Sequence, residues 1–309
     1  MKVLTSITLR RILGLVLIVL LCPDFAGAQK GGKYVKNWAK IDSLESKGLP
    51  KSALEVVEKI YEKAKDDNQP DHLIKALLYK MKYINNIEDD AFEKNIKYLK
   101  QEINTADQPA KSIMHSMLAE MYWMYYRNNR YKFYDRSNTI NFDAEDIQTW
   151  SLEQLVDKVI EHHLEAVKNK EILQAANIEK FNLLVNRGSA PKNLRPTLYD
   201  LLAHRAIDQF SISELSLTRP ADYFQLRENF YFEEAKKFCA QKITTKDTLS
   251  LHFYAIRIYQ ELLRFRLKQK NQDALIDADL KRLSFIYQNS VNLRKDTLYI
   301  SALLGLKDE

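Results

Sequence analysis

The stretch that decides the fold is PKSALEVVEKIYEKA, residues 50–64. Its apolar side chains recur at positions i, i+4, i+7, i+8 and i+11, a spacing that places them in one stripe along a helix. These side chains are Ala53, Val57, Ile60, Tyr61 and Ala64. Pro50 suits the first turn of such a helix, because a backbone N–H at that position would have no partner inside the helix. The segment therefore predicts an amphipathic helix.

Glycine is almost absent from the rest of the chain. After Gly48 the sequence contains only Gly188 and Gly305. Sheets need turns, and turns use glycine where the backbone must adopt a positive φ. The distribution predicts an all-α protein, an irregular TPR-like α-solenoid of antiparallel helical hairpins without a repeat of fixed length.

Apolar periodicity and end signals extend this prediction along the chain. Gly48 closes the first helix, and Ser151 with Gln154 forms a capping box at a later one. Residues 248–268 are apolar nearly all round and should be deeply buried. The predicted helices cover 34–47, 71–85, 109–127, 151–168, 230–240, 248–268, 273–289 and 295–304, with others starting at Pro50, at 88–90 and at Pro196.

The first 28 residues read as a signal peptide. Lys2, Arg10 and Arg11 form a basic region, an apolar run follows at 12–21, and cleavage is expected between Ala28 and Gln29. An uncleaved membrane anchor is one alternative, and a lipid attached to Cys22 is another. The signal predicts an exported protein of the periplasm, the outer membrane or the cell surface, without a stable membrane span after cleavage.

The remaining chain is long enough for one large domain or two modest ones. We expect N-terminal helical hairpins over 29–127, an irregular connection over 128–149, and a second helical lobe over 150–309. The connection is polar and aromatic together and shows no period.

The charge pattern does not favour nucleic acid as a partner. The formal net charge is +6, and both signs are interspersed along the chain. The most basic run, Arg264, Arg266, Lys268 and Lys270, is interpreted as cations at a helix C-terminus. We expect protein partners and no cofactor.

The histidine pair His162-His163 has acidic neighbours at Glu161 and Glu165. Metal-binding helices use His-Glu-x-x-His or Glu-x-x-His, and neither spacing occurs here. Adjacent residues on a helix point about 100° apart. The pair is therefore interpreted as part of a solvent-facing surface rather than a metal site.

Two further polar groups and one cysteine are candidates for chemistry. The first group is Asp143, Glu145 and Asp146. We interpret these residues as acidic side chains at the start of a helix rather than as calcium ligands. The second is Asp200, His204 and Asp208, in which a catalytic pair is conceivable but a hydrogen-bonded helix face is favoured. Cys239 is interpreted as a small buried apolar residue. We predict no catalytic or metal-ligating residues and no enzymatic activity.

Three segments resemble the N-terminal helical region of large exported α-2-macroglobulin-like proteins of the Bacteroidetes type. They are LRPTLYDLLAHRA at 194–206, GLPKSALEVV at 48–57 and AEMYWMYY at 119–126. The resemblance runs from about Trp38 to the end of the chain. It implies an exported helical module from a family of endopeptidase inhibitors.

In that family, macroglobulin β-sandwich domains, a bait region and often a thioester follow the helical region, and proteases that cut the bait are trapped. This chain has no β-sandwich segment, and Cys239 is followed by Ala240, Gln241 and Lys242 rather than by the Gly-Glu-Gln of a thioester motif. We therefore expect a truncated member that carries only the N-terminal module and does not trap proteases with these residues alone. The alternative is a free-standing periplasmic TPR-like adaptor that binds peptides or envelope proteins.

Overall fold

The computed structural model describes residues 34–88, 90–133, 143, 146–185, 191–212 and 220–307. Within these residues the regular structure is helical, and β pairing is limited to two isolated bridges, Asn177 with Thr197 and Leu226 with Ser290. The all-α prediction is confirmed. The predicted signal peptide and its cleavage site at Ala28 and Gln29 lie outside the described residues.

The α-helices are numbered in chain order. They are α1 Val35–Ser46, α2 Pro50–Asp66, α3 Pro70–Ile87, α4 Ala91–Thr105, α5 Ala110–Asn128, α6 Leu152–Lys168, α7 Lys170–Ala175, α8 Leu198–Phe210, α9 Ala235–Ala240, α10 Leu251–Leu267, α11 Gln272–Asn289 and α12 Lys295–Lys307. Short 3₁₀ helices occupy Arg130–Phe133, Ile147–Thr149, Ile178–Phe181 and Asn229–Phe232.

Internal contacts divide the chain into two compact units. The first contains the described residues up to Asn95 together with 179–185, and the second contains 96–178 and the described residues from Pro191 onward. The predicted connection over 128–149 is described only in part, so its role as a boundary stays a prediction.

In the first unit, α2 packs against both α1 and α3. The stripe predicted from residues 50–64 is confirmed, because Ala53, Val57, Ile60, Tyr61 and Ala64 are all buried. Ile41 of α1 and Leu77 of α3 are fully buried as well. The apolar faces of three consecutive helices thus meet in one core.

The two turns that flank α2 each end a helix in the same way. Gly48 has φ +67°, its N–H donates to the Glu45 carbonyl at 2.9 Å, and the Leu49 N–H donates to the Leu44 carbonyl at 3.0 Å. Asn68, with φ 51°, follows α2 in an equivalent arrangement. Such left-handed caps use the carbonyls left free at a helix C-terminus, so the predicted role of Gly48 is confirmed.

The second unit is centred on α5, whose packing against α6 is the most extensive between any two of the described helices. Side chains all round α5 are buried, from Ile113 and Met114 through Tyr122 to Tyr126. The predicted capping box of α6 is present, since Gln154 N–H donates to Ser151 Oγ and Ser151 N–H donates to Gln154 Oε1.

Helix α10 lies at the centre of the later helices and packs against α8, α9 and α11. Its predicted deep burial is confirmed, with Ile256, Leu262 and Leu263 fully enclosed. None of the helices that the structure describes combines the length and the apolar character needed to cross a bilayer.

Several predicted helices begin or end two or three residues from their predicted bounds, and one is interrupted. The helix expected to open at Pro196 begins instead at Leu198, because Thr197 caps it and Asp200 accepts a hydrogen bond from the Thr197 backbone. The helix expected over 230–240 is a 3₁₀ turn at Asn229–Phe232 followed by the short helix α9. The apolar spacing predicts both of these pieces but not the break between them.

Candidate functional site

The structure places the sequence-predicted group Asp200, His204 and Asp208 on α8, where side chains from α10 and α11 meet it. We call these three residues with Arg266 and Lys281 the α8 cluster. Asp200 and His204 are 1% and 4% exposed, and Arg266 is 2% exposed. Within the second unit, the α8 cluster therefore has a buried part, formed by Asp200, His204 and Arg266, and an outer part, formed by Lys281 and Asp208.

Asp200 has a partner for each carboxylate oxygen. Oδ1 accepts from Arg266 Nε at 3.0 Å, and Oδ2 accepts from Arg266 Nη2. Oδ2 also accepts from the Thr197 N–H at 2.9 Å and from Thr197 Oγ1 at 2.7 Å. The carboxylate thus joins α10 to the capped start of α8, and a charge buried in this way is tolerated because it is both paired and hydrogen-bonded.

His204 lies one turn further along α8 and has different partners. Its Nδ1 is 3.3 Å from Lys281 Nζ, and its Nε2 is 4.0 Å from a carboxylate oxygen of Asp277. Burial lowers the pKa of His204 to about 2, and the positive charges of Lys281, Arg195 and Arg266 add to that effect. The imidazole is therefore neutral and accepts a hydrogen bond from the ammonium group.

Asp208 completes the α8 cluster at its outer end. Its carboxylate forms an ion pair with Lys281 Nζ at 2.6 Å, and that carboxylate is 61% exposed. Lys281 therefore links His204 and Asp208 to α11. The hydrogen-bonded helix face that the sequence favoured is confirmed, and the cluster ties three helices together.

Sequence reasoning missed a second buried ion pair, between Arg282 and Asp279 of α11. Arg282 is fully buried, and its Nε donates to Asp279 Oδ1 at 2.6 Å. Its two Nη atoms donate to the carbonyls of Tyr231 at 2.7 Å and Glu233 at 2.9 Å, beside the break before α9. Aspartate three residues before arginine within an apolar helix is the sequence signal that could have revealed this pair.

The basic residues at the end of α10 do more than place positive charge at the helix C-terminus. Arg264 and Arg266 are in the last turn, as expected, but Arg264 Nη2 donates to the Cys239 carbonyl at 2.6 Å and Arg266 is buried against Asp200. Lys268 and Lys270 are exposed. Two of the four cations therefore lie at the helix end, as expected, and also bond to groups on other helices.

Three histidines gather where α6 faces α5 and α8. We call His115, His162 and His163 the histidine cluster. Nδ1 of His115 lies 2.9 Å from Nδ1 of His162, which is hydrogen-bond distance between two rings on different helices. Tyr122 stacks on His162 with ring centroids 5.6 Å apart. Sequence reasoning missed His115, because nothing in its local pattern shows the partner across the interface.

His163 corrects the surface interpretation of the pair. It is 0% exposed, neither ring nitrogen has a hydrogen-bond partner within the described residues, and Phe210 of α8 meets it edge to face at 5.3 Å. The interpretation was wrong because α6 is covered by α5 on one side and α8 on another. His163 is therefore fully buried, and His162, about 100° further round the helix, is half-buried.

Burial governs the protonation of this cluster. It lowers the pKa of His162 to about 4, with the His115 ring adding to the effect, and it lowers the pKa of His163 to about 3, with Arg205 contributing. The pKa of His115 is lowered by burial too. All three rings are neutral at pH 7.

The remaining sequence candidates have structural roles where they are described. Asp146 caps the 3₁₀ helix Ile147–Thr149 by accepting from the Gln148 N–H at 2.9 Å, which confirms the helix-start interpretation. Asp143 offers its backbone carbonyl to Trp150 Nε1 at 3.0 Å, and Glu145 lies outside the described residues. Cys239 is buried, as expected, and burial raises the pKa of its thiol to about 11.

In the part of the chain that the structure describes, no three His, Cys, Asp or Glu side chains come together in a way that could hold a metal ion. Comparison of the chain with protein-family models, with curated proteins and with solved structures gives no match. The case for a function therefore depends on the residues themselves.

Proposed function

We propose that this chain is an exported, non-enzymatic helical scaffold that recognises other proteins. The observation that carries the proposal is that the carboxylate of Asp200, a candidate catalytic group, is occupied by contacts within the fold. Both of its oxygens are engaged, by Arg266 and by Thr197, at the start of α8. A carboxylate held in this way serves packing, and its neighbour His204 is buried and neutral.

The finer proposal is that the scaffold is the N-terminal helical module of an α-2-macroglobulin-like protein, with TPR-like hairpins. Its support is the resemblance of residues 48–57, 119–126 and 194–206 to that region, together with the all-α architecture. The helical module would dock other domains or proteases, and it would not trap proteases by itself.

Protease assays test the non-trapping proposal. Purified chain is mixed with several endopeptidases, and cleavage of a large protein substrate is compared with cleavage of a small peptide substrate. We expect both rates to be unchanged. Strong protection of the large substrate alone, the signature of trapping, would contradict the proposal.

The catalytic alternative has its own test. His204→Gln removes the imidazole, and Asp208→Asn is a matched change on the exposed end of the same helix. We expect neither variant to lose a binding activity that the parent chain shows. A hydrolytic or transfer activity that His204→Gln abolishes and Asp208→Asn preserves would make the protein an enzyme.

A free-standing peptide-binding adaptor is the second candidate function. The observation that favours it is the packing of α2 against both α1 and α3, which resembles stacked helical hairpins. Genomic sequence that continues into β-sandwich domains would favour the macroglobulin module, and unrelated neighbouring genes would favour the adaptor. N-terminal sequencing of the exported protein tests localisation, and we expect Gln29 as the first residue.

A further inference from the structure

The helix pair α5–α6 contains a contact that depends on its protonation state. The two Nδ1 atoms of His115 and His162 approach to 2.9 Å. At that distance one nitrogen must donate a proton and the other must accept through its lone pair. When both rings carry two protons, both Nδ1 atoms are donors, and the contact becomes a repulsion between two cations.

The neighbouring ring makes the same interface still less tolerant of charge. His163 is completely buried, and neither of its nitrogens has a hydrogen-bond partner within the described residues. An imidazolium at this position would carry two N–H donors without acceptors, opposite the aromatic ring of Phe210. A buried, unpaired charge is among the most costly states that a protein interior can contain.

We propose that α5 and α6 form an acid-sensitive latch, which is closed while the histidine cluster is neutral and opens when its members are protonated. The latch is a property of the packing, so it does not depend on which partner the scaffold recognises. Opening would expose apolar side chains of α5 and α6 that are buried in the closed form, such as Met114, Leu118 and Leu155.

Charged groups on three helices face the cluster and set how strongly it resists protons. Glu161 and Glu165 of α6 favour the charged form of both His115 and His162. Lys111 of α5 disfavours a charge on His115. Lys158 of α6 disfavours a charge on His162. Lys168 of α6 also disfavours a charge on His115, and Arg205 of α8 disfavours one on His163. Burial is the largest contribution at all three rings and outweighs the two glutamates.

The direction of the pH effect follows from the pKa values of the histidines in the closed and open forms. In the closed form the pKa is about 4 for His162 and about 3 for His163, whereas an opened ring returns to its ordinary value near 6.5. Between those values the open form binds more protons, so falling pH favours opening. Each histidine makes opening roughly 30-fold easier between pH 7.5 and pH 5.0, because an opened ring is almost entirely neutral at the first pH and almost entirely protonated at the second.

Hydrogen exchange measured by mass spectrometry on the full chain tests the latch. Amide protection in α5 and α6 is compared at pH 7.5 and pH 5.0 after correction for the intrinsic exchange rate. We expect protection to fall by at least about 30-fold at pH 5.0, because exchange of these amides follows the opening equilibrium. Unchanged protection in both helices would overturn the proposal.

Variants of the histidine cluster test whether its rings cause the pH dependence of amide protection. His162→Gln keeps a hydrogen-bonding side chain that does not titrate, and His163→Leu replaces the unpaired ring with an apolar side chain. We expect the double variant to lose most of the pH effect in α5 and α6. Leu155→Ala is the matched control, because it weakens the same interface without removing a proton site and should lower protection equally at both pH values.

His204→Gln separates the latch from acid unfolding that starts in the α8 cluster. We expect this variant to retain the acid sensitivity of α5 and α6. If it abolishes that sensitivity while His162→Gln/His163→Leu preserves it, the latch is wrong. If the double variant does not fold, His162→Gln alone must reduce the pH effect, and an unreduced effect counts against the proposal.

Discussion

The second unit places polar side chains in its interior in two regions, and the two regions differ in how charge is accommodated. In the α8 cluster, opposite charges meet, and Asp200 pairs with Arg266 through both carboxylate oxygens. In the histidine cluster, neutral rings meet each other, and His163 has no polar partner among the described residues. One region therefore relies on charge pairing and the other on the absence of charge.

The difference predicts opposite responses to substitution and to pH. A buried charge is costly when its partner is removed, so removing Arg266 should destabilise the protein far more than removing the unpaired ring of His163. An unpaired neutral imidazole, by contrast, contributes little at neutral pH and becomes a liability in acid.

Arg266→Met should have the largest effect. It leaves the Asp200 carboxylate buried without its cation, and we expect a loss of about 3–5 kcal/mol in the free energy of unfolding. Urea denaturation monitored by circular dichroism measures it. Adding Asp200→Asn to the variant should restore part of the loss, because the stranded charge is then gone. A loss below about 1 kcal/mol for Arg266→Met would show that the pair is exposed.

Leu262→Ala should follow, with a loss of about 2–5 kcal/mol, because Leu262 is fully enclosed in α10 and its truncation leaves a cavity. Leu304→Ala in α12 is the matched control. Leu304 is 60% exposed, so its truncation should change stability by less than about 0.5 kcal/mol. Equal melting temperatures for Leu262→Ala and the parent chain would mean that α10 is not a core helix.

Much of the helical pattern is readable from the sequence, since apolar spacing, Gly48 and the Ser151–Gln154 box depend on residues close along the chain. Long-range partners are not readable in this way. Asp200 and Arg266 lie 66 positions apart, and His115 and His162 lie 47 apart. The sequence shows that each of these residues lies on a particular face of a helix. It does not show which other helix packs against that face. For the same reason, the sequence alone suggests an exposed position for His163.

The two capping boxes offer a smaller comparison between the regions. Ser151→Ala at the start of α6 should cost about 1 kcal/mol, the usual cost of losing an N-cap. Thr197→Ala at the start of α8 should cost up to about 2 kcal/mol, because Thr197 Oγ1 also donates to the charged Asp200. Thermal melts of both variants measure the difference. A larger loss for Ser151→Ala would reverse the ranking of the two regions.

His163→Leu at pH 7.5 should have the smallest effect, within about 1 kcal/mol of the parent chain, since a polar group without partners is replaced by an apolar one. The same urea denaturation measures it. A loss above about 2 kcal/mol would show that the ring has a hydrogen bond at neutral pH, and the contrast with Arg266 would then fail.

The central claim is that the rings of the histidine cluster are neutral in the folded protein, and nuclear magnetic resonance tests it most directly. The ring signals of His162 and His163 are followed in the native protein from pH 8 to pH 5.5. Because burial holds both pKa values at about 4 or below, we predict that neither native signal shifts over that range. Titration of either ring with a midpoint near 6.5, the value of an exposed histidine, would contradict the account.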